Sequence, residues 1–290
     1  MMGGESYEGE DGGLYGSGRN EPTASHLADA VRLAERVQPL STCGQPDAQG
    51  LIGLMAIGFS NTYLEFREFE RLAMRERRVA DKVRFVNGAQ QHCGSESWAS
   101  RAAPKVNPWG VLDDRLRVSG VARAQVQAAW IKLTPRSPRA LGAFPLHVER
   151  MTLDLRDILR RVADRFPNLK LAFLSSRAFG GYCTTELSPE PFAYESAFSV
   201  RRLIRTQMSG DTSLNYDDAR GPARSPLLLW GPYLWARGET GRQADNLSWT
   251  RADFDHEGTH PSAHGAEKIG RLLLKFMQKD PAARPWFMTK

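Results

Sequence analysis

Two short segments near opposite ends of the chain contain residue types that could act together as a nucleophile and its base. The first, Gly58 to Thr62, contains Ser60 and follows an apolar run. The second, residues 257–262, places Glu257 three residues before His260. A serine hydroxyl is almost fully protonated at neutral pH and is a poor nucleophile until a base accepts its proton. His260 is the candidate base for Ser60.

Ser60 alone is weak evidence for catalysis, because a serine after a flexible glycine is often only a helix N-cap. The segment also differs from the Gly-x-Ser-x-Gly elbow of the α/β-hydrolases, since Thr62 replaces the second glycine. The apolar run before Ser60 predicts a strand, and a helical pattern follows it. Open α/β sheets place their sites at the carboxyl ends of strands, so this position suits a nucleophile.

His260 also has a purely structural interpretation, as a turn histidine that packs beside Pro261. Its sequence context favours a functional one. Gly258 allows a tight backbone turn, Pro261 ends the extended segment, and Ser262 can cap the apolar helical pattern that follows. We therefore expect His260 to lie at the start of a helix rather than inside it.

A catalytic histidine needs an acceptor for its second ring nitrogen, which fixes the tautomer and stabilises the imidazolium. Glu257 is our candidate for this carboxylate because of its offset from His260. Asp255 and Asp253 are the alternatives.

A metal site is a rival interpretation of the same segment. His256, His260 and His264 recur every four residues, a spacing that could bind zinc on one helix. Gly258 and Pro261 make a continuous helix over these residues improbable. We expect no metal and no cofactor.

Together the two segments resemble the SGNH (GDSL-type) hydrolase superfamily. Its serine lies after the first strand, and its Asp-x-x-His lies before the C-terminal helix. The resemblance covers residues 48–280 as an order of elements. A closer likeness is to a group of bacterial SGNH-like proteins with similar segments at residues 58–62, 87–90, 175–182, 189–196 and 230–233. It implies a flavodoxin-like, three-layer α/β/α sandwich with a central, mostly parallel five-stranded sheet.

The resemblance also implies an oxyanion hole, made in the superfamily by a glycine after strand two and an asparagine after strand three. Here His92 stands where that glycine is expected, with Gly94 two residues later. A side chain at this position implies a crowded acyl pocket or a strained turn. No such asparagine follows strand three, so Lys132 or Thr134 would have to donate. Our oxyanion candidates are Gly88, His92, Gly94 and Lys132.

Loops on the same edge of the sheet supply candidate substrate contacts. Arg177 and Tyr182 lie in a glycine- and proline-rich stretch after strand four, where the alternative for Arg177 is an ion pair with Glu186 or Glu190. Several aromatic side chains could stack on sugar rings, although packing is the commoner role. The expected substrate contacts are Asn61, Gln90, Arg177 and Tyr182, and the aromatic candidates are Trp230, Tyr233, Trp235 and Trp249.

Apolar runs and helical patterns alternate along the chain, which predicts a parallel sheet with helices on both faces. The clearest helical pattern spans residues 146–166, and others cover residues 23–37 and the segment after Ser60. The predicted strands are Leu51 to Gly58, Lys82 to Asn87, Gln125 to Ile131, Leu169 to Ser175 and Leu227 to Trp230.

Length and composition fit one catalytic domain. The chain has 290 residues, of which 41% are apolar, enough for one large core. We expect residues 1–22, which are rich in glycine, to form a disordered tail, and residues 23–290 to form a single domain. The three cysteines are scattered, so they indicate neither a disulfide framework nor a zinc site.

The net charge of +6 could attract anionic polymers, but the arginines are dispersed and favour a solvated basic surface. We therefore expect no nucleic acid partner. No apolar run approaches the length of a membrane helix, and the start of the chain lacks a signal-peptide pattern. The sequence thus predicts a soluble protein and does not indicate its compartment, which is cytoplasmic for the chain as given and extracellular if the start is processed or truncated. It does not indicate an oligomeric state.

Two function classes remain. The first is a serine esterase that acts on carboxylic ester bonds through a Ser60-His260-Glu257 triad and an acyl-enzyme, with a small-molecule or O-acylated carbohydrate ester as substrate. The second is a non-catalytic SGNH-like ligand-binding protein with a degraded oxyanion hole. The altered middle segments favour the second class, and the two end segments favour the first.

Overall fold

A computed structural model describes residues 1–100 and 107–289. Five strands form one parallel sheet in the order β2-β1-β3-β4-β5. They are β1 (Ile52–Gly58), β2 (Val83–Asn87), β3 (Val126–Lys132), β4 (Leu171–Leu174) and β5 (Leu227–Trp230). The α-helices are α1 (Ala24–Glu35), α2 (Ser60–Ala73), α3 (Ser95–Trp98), α4 (Pro108–Val118), α5 (Leu146–Arg165), α6 (Phe192–Met208), α7 (Ala263–Lys279) and α8 (Arg284–Phe287).

The expected three-layer α/β/α sandwich is confirmed. Every residue of β1 is buried, because helices cover both faces of the sheet, and this explains why the strand is apolar without alternation. Met55 and Ile57 face a core cluster that includes α4, α5 and α6. Leu54 and Ala56 face a second cluster that includes α1, α2 and α7.

Each predicted strand and helical pattern corresponds to an element of the structure within a few residues. The 146–166 pattern forms α5, whose buried side chains include Val148, Met151 and Leu155 on one stripe. None of the described helices is both long enough and apolar enough to cross a membrane.

The order of the strands creates a natural site at the carboxyl ends of β1 and β3. The chain first adds β2 on one side of β1 and then crosses to add β3 on the other side. Ligands of open α/β sheets bind where the strand order reverses in this way. In the sheet register Gly58 lies beside Lys132, so the segment that contains Ser60 emerges directly above this reversal.

The expectation of a disordered tail over residues 1–22 does not hold in the structure. Leu14 and Tyr15 are buried in the core cluster that includes α6. The Leu14 carbonyl accepts a hydrogen bond from the Trp230 indole at 2.7 Å. The Tyr15 hydroxyl accepts one from the Trp230 backbone N–H at 3.2 Å.

Charged residues attach the same segment to α6. Arg201 is fully buried and forms ion pairs with Glu10 and Asp11. Glu10 also pairs with Arg202 at 2.6 Å. A buried arginine needs such partners, because an unpaired charge in the interior is very costly. Residues 1–22 thus supply the counter-charge for a buried cation of the core.

We predict that Glu10→Gln with Asp11→Asn destabilises the protein by about 3 kcal/mol at pH 7, the usual cost of breaking a buried pair. Hydrogen bonds and ion pairs from Arg201 and Arg202 hold the pKa of the Glu10 carboxyl below its usual range despite its burial. A carboxylate with a lowered pKa in the folded state stabilises the fold above its unfolded pKa, and this contribution disappears as the pH falls through the folded value.

The difference between wild type and variant should therefore shrink as the pH falls below about 4, the usual carboxyl range. Denaturant unfolding at several pH values measures it. Glu8→Gln is the matched control, since Glu8 has no ion pair in the described part of the chain. A variant as stable as wild type at pH 7 would contradict the structural role of this segment.

Candidate active site

Ser60 is the first residue of α2, two residues beyond the last residue of β1. The turn is tight, and a side chain at Gly58 would overlap that of Thr62. The Thr62 hydroxyl donates to the Lys132 carbonyl at 2.8 Å, which ties the start of α2 to the end of β3. Ser60 is thus held at the strand reversal, with 7% of its surface exposed.

His260 meets Ser60 from the other end of the chain, as the sequence predicts. The Ser60 Oγ lies 2.8 Å from His260 Nε2, although the two residues are 200 positions apart. The Ser262 hydroxyl caps α7 by accepting from the Gly265 N–H. His260 therefore lies just before the helix rather than inside it, and its ring can accept the Ser60 proton.

The carboxylate beside His260 is Asp255, which corrects the assignment to Glu257. Asp255 Oδ2 lies 3.4 Å from His260 Nδ1. Its Oδ1 accepts from the backbone N–H groups of Thr259, at 3.2 Å, and of His260, at 3.3 Å. Asp255 is therefore oriented by the same turn that positions the imidazole, and it can fix the tautomer in the way a triad carboxylate does.

The shape of the turn explains why Glu257 does not take this role. Gly258 has φ +68°, and its N–H donates to the Asp255 carbonyl at 3.0 Å. The chain thus reverses between residues 255 and 260. This reversal brings Asp255, rather than Glu257, next to His260 Nδ1. Glu257 lines the cleft in front of Ser60 without forming an ion pair with His260 in the described structure. Asp253, the other alternative, pairs instead with Lys268 at 3.0 Å.

The three histidines of the metal alternative do not share a helix, as we expect from the sequence. The helix α7 begins only at Ala263, and His264 Nε2 lies 3.5 Å from Asp253. Ligand atoms of Asp255, Glu257 and His260 do lie within 4.8 Å of one another. A divalent cation bound there would occupy the nitrogen or the carboxylate that the serine and histidine arrangement uses.

Two of the predicted substrate contacts instead anchor the loop that contains His260. Asn61 Nδ2 donates to the Thr259 carbonyl at 2.9 Å. Arg177 Nη2 donates to the same carbonyl at 3.4 Å and to the Leu187 carbonyl at 3.3 Å. Both side chains are buried. They fix the peptide directly before His260, and neither of them lines the cleft at Ser60.

The other two predicted contacts also hold the backbone. The Gln90 amide donates to the Pro108 carbonyl at 2.7 Å, and the Tyr182 hydroxyl donates to the Trp249 carbonyl at 3.1 Å. Neither residue lines the cleft at Ser60. The aromatic side chains Trp230, Tyr233 and Trp249 are buried, which agrees with packing rather than with stacking on sugars.

Two oxyanion candidates have their donors occupied. Lys132 is 2% exposed, and its Nζ donates to both carboxylate oxygens of Glu65 at 2.6 and 2.7 Å. Burial lowers the pKa of the Lys132 ammonium, and the charge of Glu65 opposes this effect. The Gly88 N–H donates to the Val86 carbonyl at 3.0 Å. Neither residue lines the cleft in front of Ser60.

Gly94 caps α3, and a side chain there would overlap the Glu96 carboxylate and the Arg136 backbone nitrogen. It does not line the cleft. His92 does line it, and its φ of +62° is the left-handed conformation that glycine adopts most easily. The strained turn that the sequence predicts is therefore present. The His92 N–H has no hydrogen-bond partner in the described ranges.

A cleft of about 500 Å³ opens in front of Ser60. Its lining includes apolar side chains, such as Leu64 and Leu187, and the charged residues Arg136, Asp255 and Glu257. The lining residues that we did not single out as site residues are Phe59, Leu64, Gln91, Arg136, Leu187 and Pro261. Several of them adjoin predicted motif residues in the chain, which is the one signal by which the sequence could have indicated them.

No protein-family model matches the chain, and no curated protein sequence matches it. A comparison with solved structures finds distant matches, which include two crystal structures. One is a crystal structure named a "putative acylhydrolase" from Bacteroides fragilis NCTC 9343, at 10% identity and a TM-score of 0.43, covering 90% of this chain and 98% of that one. The other is the protein YxiM from Bacillus subtilis, at 11% identity and a TM-score of 0.38, covering 81% of this chain and 58% of that one. At these scores the likeness carries no argument about activity.

We predict that His92→Gly is at least as stable as the wild type, because glycine accepts a positive φ without strain. His92→Val should be about 1–2 kcal/mol less stable, since a branched side chain is disfavoured in the left-handed region. Denaturant unfolding compares them. Gln91→Val is the control for the neighbouring exposed position. A glycine variant well below wild type in stability would contradict this backbone assignment.

Proposed function

We propose that the protein is a serine ester hydrolase of the SGNH type, which acts on carboxylic esters through an acyl-enzyme. The observation that supports this most is the 2.8 Å contact between Ser60 Oγ and His260 Nε2. This contact joins a hydroxyl and an imidazole at the edge of a parallel sheet, where the sites of such folds occur. Both residues line a cleft. Asn61 and Arg177, which bond to the carbonyl directly before His260, also support the proposal of a serine hydrolase.

The proposed reaction has two halves. In the first, Ser60 Oγ attacks the acyl carbonyl while His260 Nε2 takes its proton. His260 then delivers that proton to the leaving alcohol as the ester C–O bond breaks. In the second, His260 removes a proton from water, the hydroxide attacks the acyl-serine, and Ser60 is released with its proton restored. Asp255 holds the imidazole through Nδ1 and stabilises its charged form in both halves.

The oxyanion needs hydrogen-bond donors other than Lys132 and Gly88, which bond elsewhere. As the first residue of α2, Ser60 has an N–H that the helix does not use. The His92 N–H is also unpaired in the described ranges and belongs to a residue of the cleft. We assign the oxyanion hole to these two backbone donors, assisted by the positive end of the α2 dipole. Side chains then matter little to this step.

The test is the turnover of a short-chain 4-nitrophenyl ester by wild type, Ser60→Ala and His260→Ala. We expect saturable turnover by wild type and, for both variants, rates close to hydrolysis without protein, because the nucleophile and its base act as a unit. Turnover should be unaffected by a chelator, whereas a metal-dependent reaction would be lost. Equal rates in all three proteins would overturn the proposal in favour of a binding protein with a closed oxyanion site.

We further predict that Asp255→Asn lowers kcat/KM by roughly 10²- to 10⁴-fold, the effect of removing a triad carboxylate. An asparagine oxygen can still accept from the Thr259 and His260 N–H groups, so the turn should persist. Glu257→Gln is the matched control and should change kcat/KM by less than about 3-fold, as expected of a side chain outside the triad. A larger loss of kcat/KM in Glu257→Gln than in Asp255→Asn would identify Glu257 as the carboxylate that orients His260.

A further inference from the structure

Arg136 places a positive charge at the cleft in front of Ser60. It follows the end of β3 by four residues and lines the same cleft as Ser60 and His260. Its side chain is exposed and forms no ion pair in the described ranges. Arg139, three residues later on the same loop, pairs instead with Glu186 at 3.5 Å and does not line the cleft.

Hydrogen bonds hold the backbone at Arg136. The Arg136 N–H donates to Glu96 Oε2 at 3.3 Å, and the Ser95 N–H donates to the Thr134 carbonyl at 3.0 Å. These bonds join the loop after β3 to the first turn of α3. Burial raises the pKa of the Glu96 carboxyl, and the charge of Arg136 opposes this effect without outweighing it. The two side chains form no ion pair in the described ranges.

The positive and negative side chains of the cleft belong to different loops. Asp255 and Glu257 belong to the loop that contains His260, the residue that protonates the leaving alcohol. The backbone nitrogen of Arg136 lies against Gly94, which is two residues from His92 in the chain, so Arg136 belongs to the part of the cleft that holds the proposed oxyanion donors. A negative group on the alcohol would meet two carboxylates. A negative group on the acyl chain would instead approach the Arg136 guanidinium.

We propose that the substrate is an ester whose acyl chain ends in a carboxylate, such as a dicarboxylic acid half-ester, and that Arg136 binds this carboxylate. The inference rests on the proposed function and deepens it. A guanidinium binds a carboxylate through two parallel N–H···O bonds, which gives both affinity and orientation. The apolar side chains of Leu64 and Leu187 in the same cleft suit the methylene groups between the two ends of such a chain.

The experiment compares two esters with the same number of acyl carbons, mono-4-nitrophenyl glutarate and 4-nitrophenyl pentanoate. Each is assayed with wild type, Arg136→Gln and the control Arg139→Gln, after subtraction of the rate without protein, which the free carboxylate of the half-ester can accelerate. We expect wild type to prefer the glutarate. Arg136→Gln should lose about 10- to 100-fold in kcat/KM on the glutarate, the usual weight of a hydrogen bond to a charged group.

The same variant should keep its pentanoate activity within about 2-fold, and Arg139→Gln should match wild type on both esters, as expected of an exposed ion pair. Serine-dependent turnover of the pentanoate without a preference for the glutarate would overturn this inference and leave the hydrolase intact. Equal losses on both esters in Arg136→Gln would also overturn it. Turnover of neither ester by wild type would remove the hydrolase and this inference together.

Discussion

The joining of the β1–α2 turn to the loop at residues 255–262 is the constraint on which the site depends. Ser60 and Asn61 are adjacent in the chain, and each contacts the second loop, through His260 at 2.8 Å and Thr259 at 2.9 Å. The first contact is the one on which the proposed chemistry depends, and the second fixes the peptide beside it. Because both start from the first turn of α2, the sheet edge, the helix and the histidine loop are positioned together.

Charge buried beneath the site gives this junction a rigid base. The Lys132–Glu65 pair lies below the first turn of α2, and both side chains are at most 2% exposed. Arg177 is buried nearby without a carboxylate partner in the described ranges, and its bonds go to the carbonyls of Thr259 and Leu187. The Lys132–Glu65 pair is satisfied by short bonds to both carboxylate oxygens, and buried groups that are bonded in this way favour one arrangement over its alternatives. These residues position the site without contacting the reacting atoms.

The sheet was predictable from the sequence because strands covered on both faces appear as continuous apolar runs. Leu227 to Trp230 is predicted with the bounds that the structure shows. The first 22 residues were not predictable in the same way. Their composition indicates disorder, yet a few anchors such as Leu14, Tyr15 and Glu10 attach them to the core. Average composition does not reveal such sparse contacts.

The contact between Ser60 and His260 was predictable because few residue types can act as nucleophile and base and because their chain positions fit the fold. The residues that support Ser60 and His260 were not predictable from the sequence. The choice between Asp255 and Glu257 depends on the turn at Gly258, and the loss of Lys132 as a donor depends on its buried pair with Glu65 of α2, a residue far away in the sequence. Labelling with a fluorophosphonate and mapping the modified peptide by mass spectrometry tests the central claim most directly. The account predicts one adduct, on Ser60, and its loss in His260→Ala, whereas no adduct on Ser60, or one that His260→Ala leaves unchanged, would contradict it.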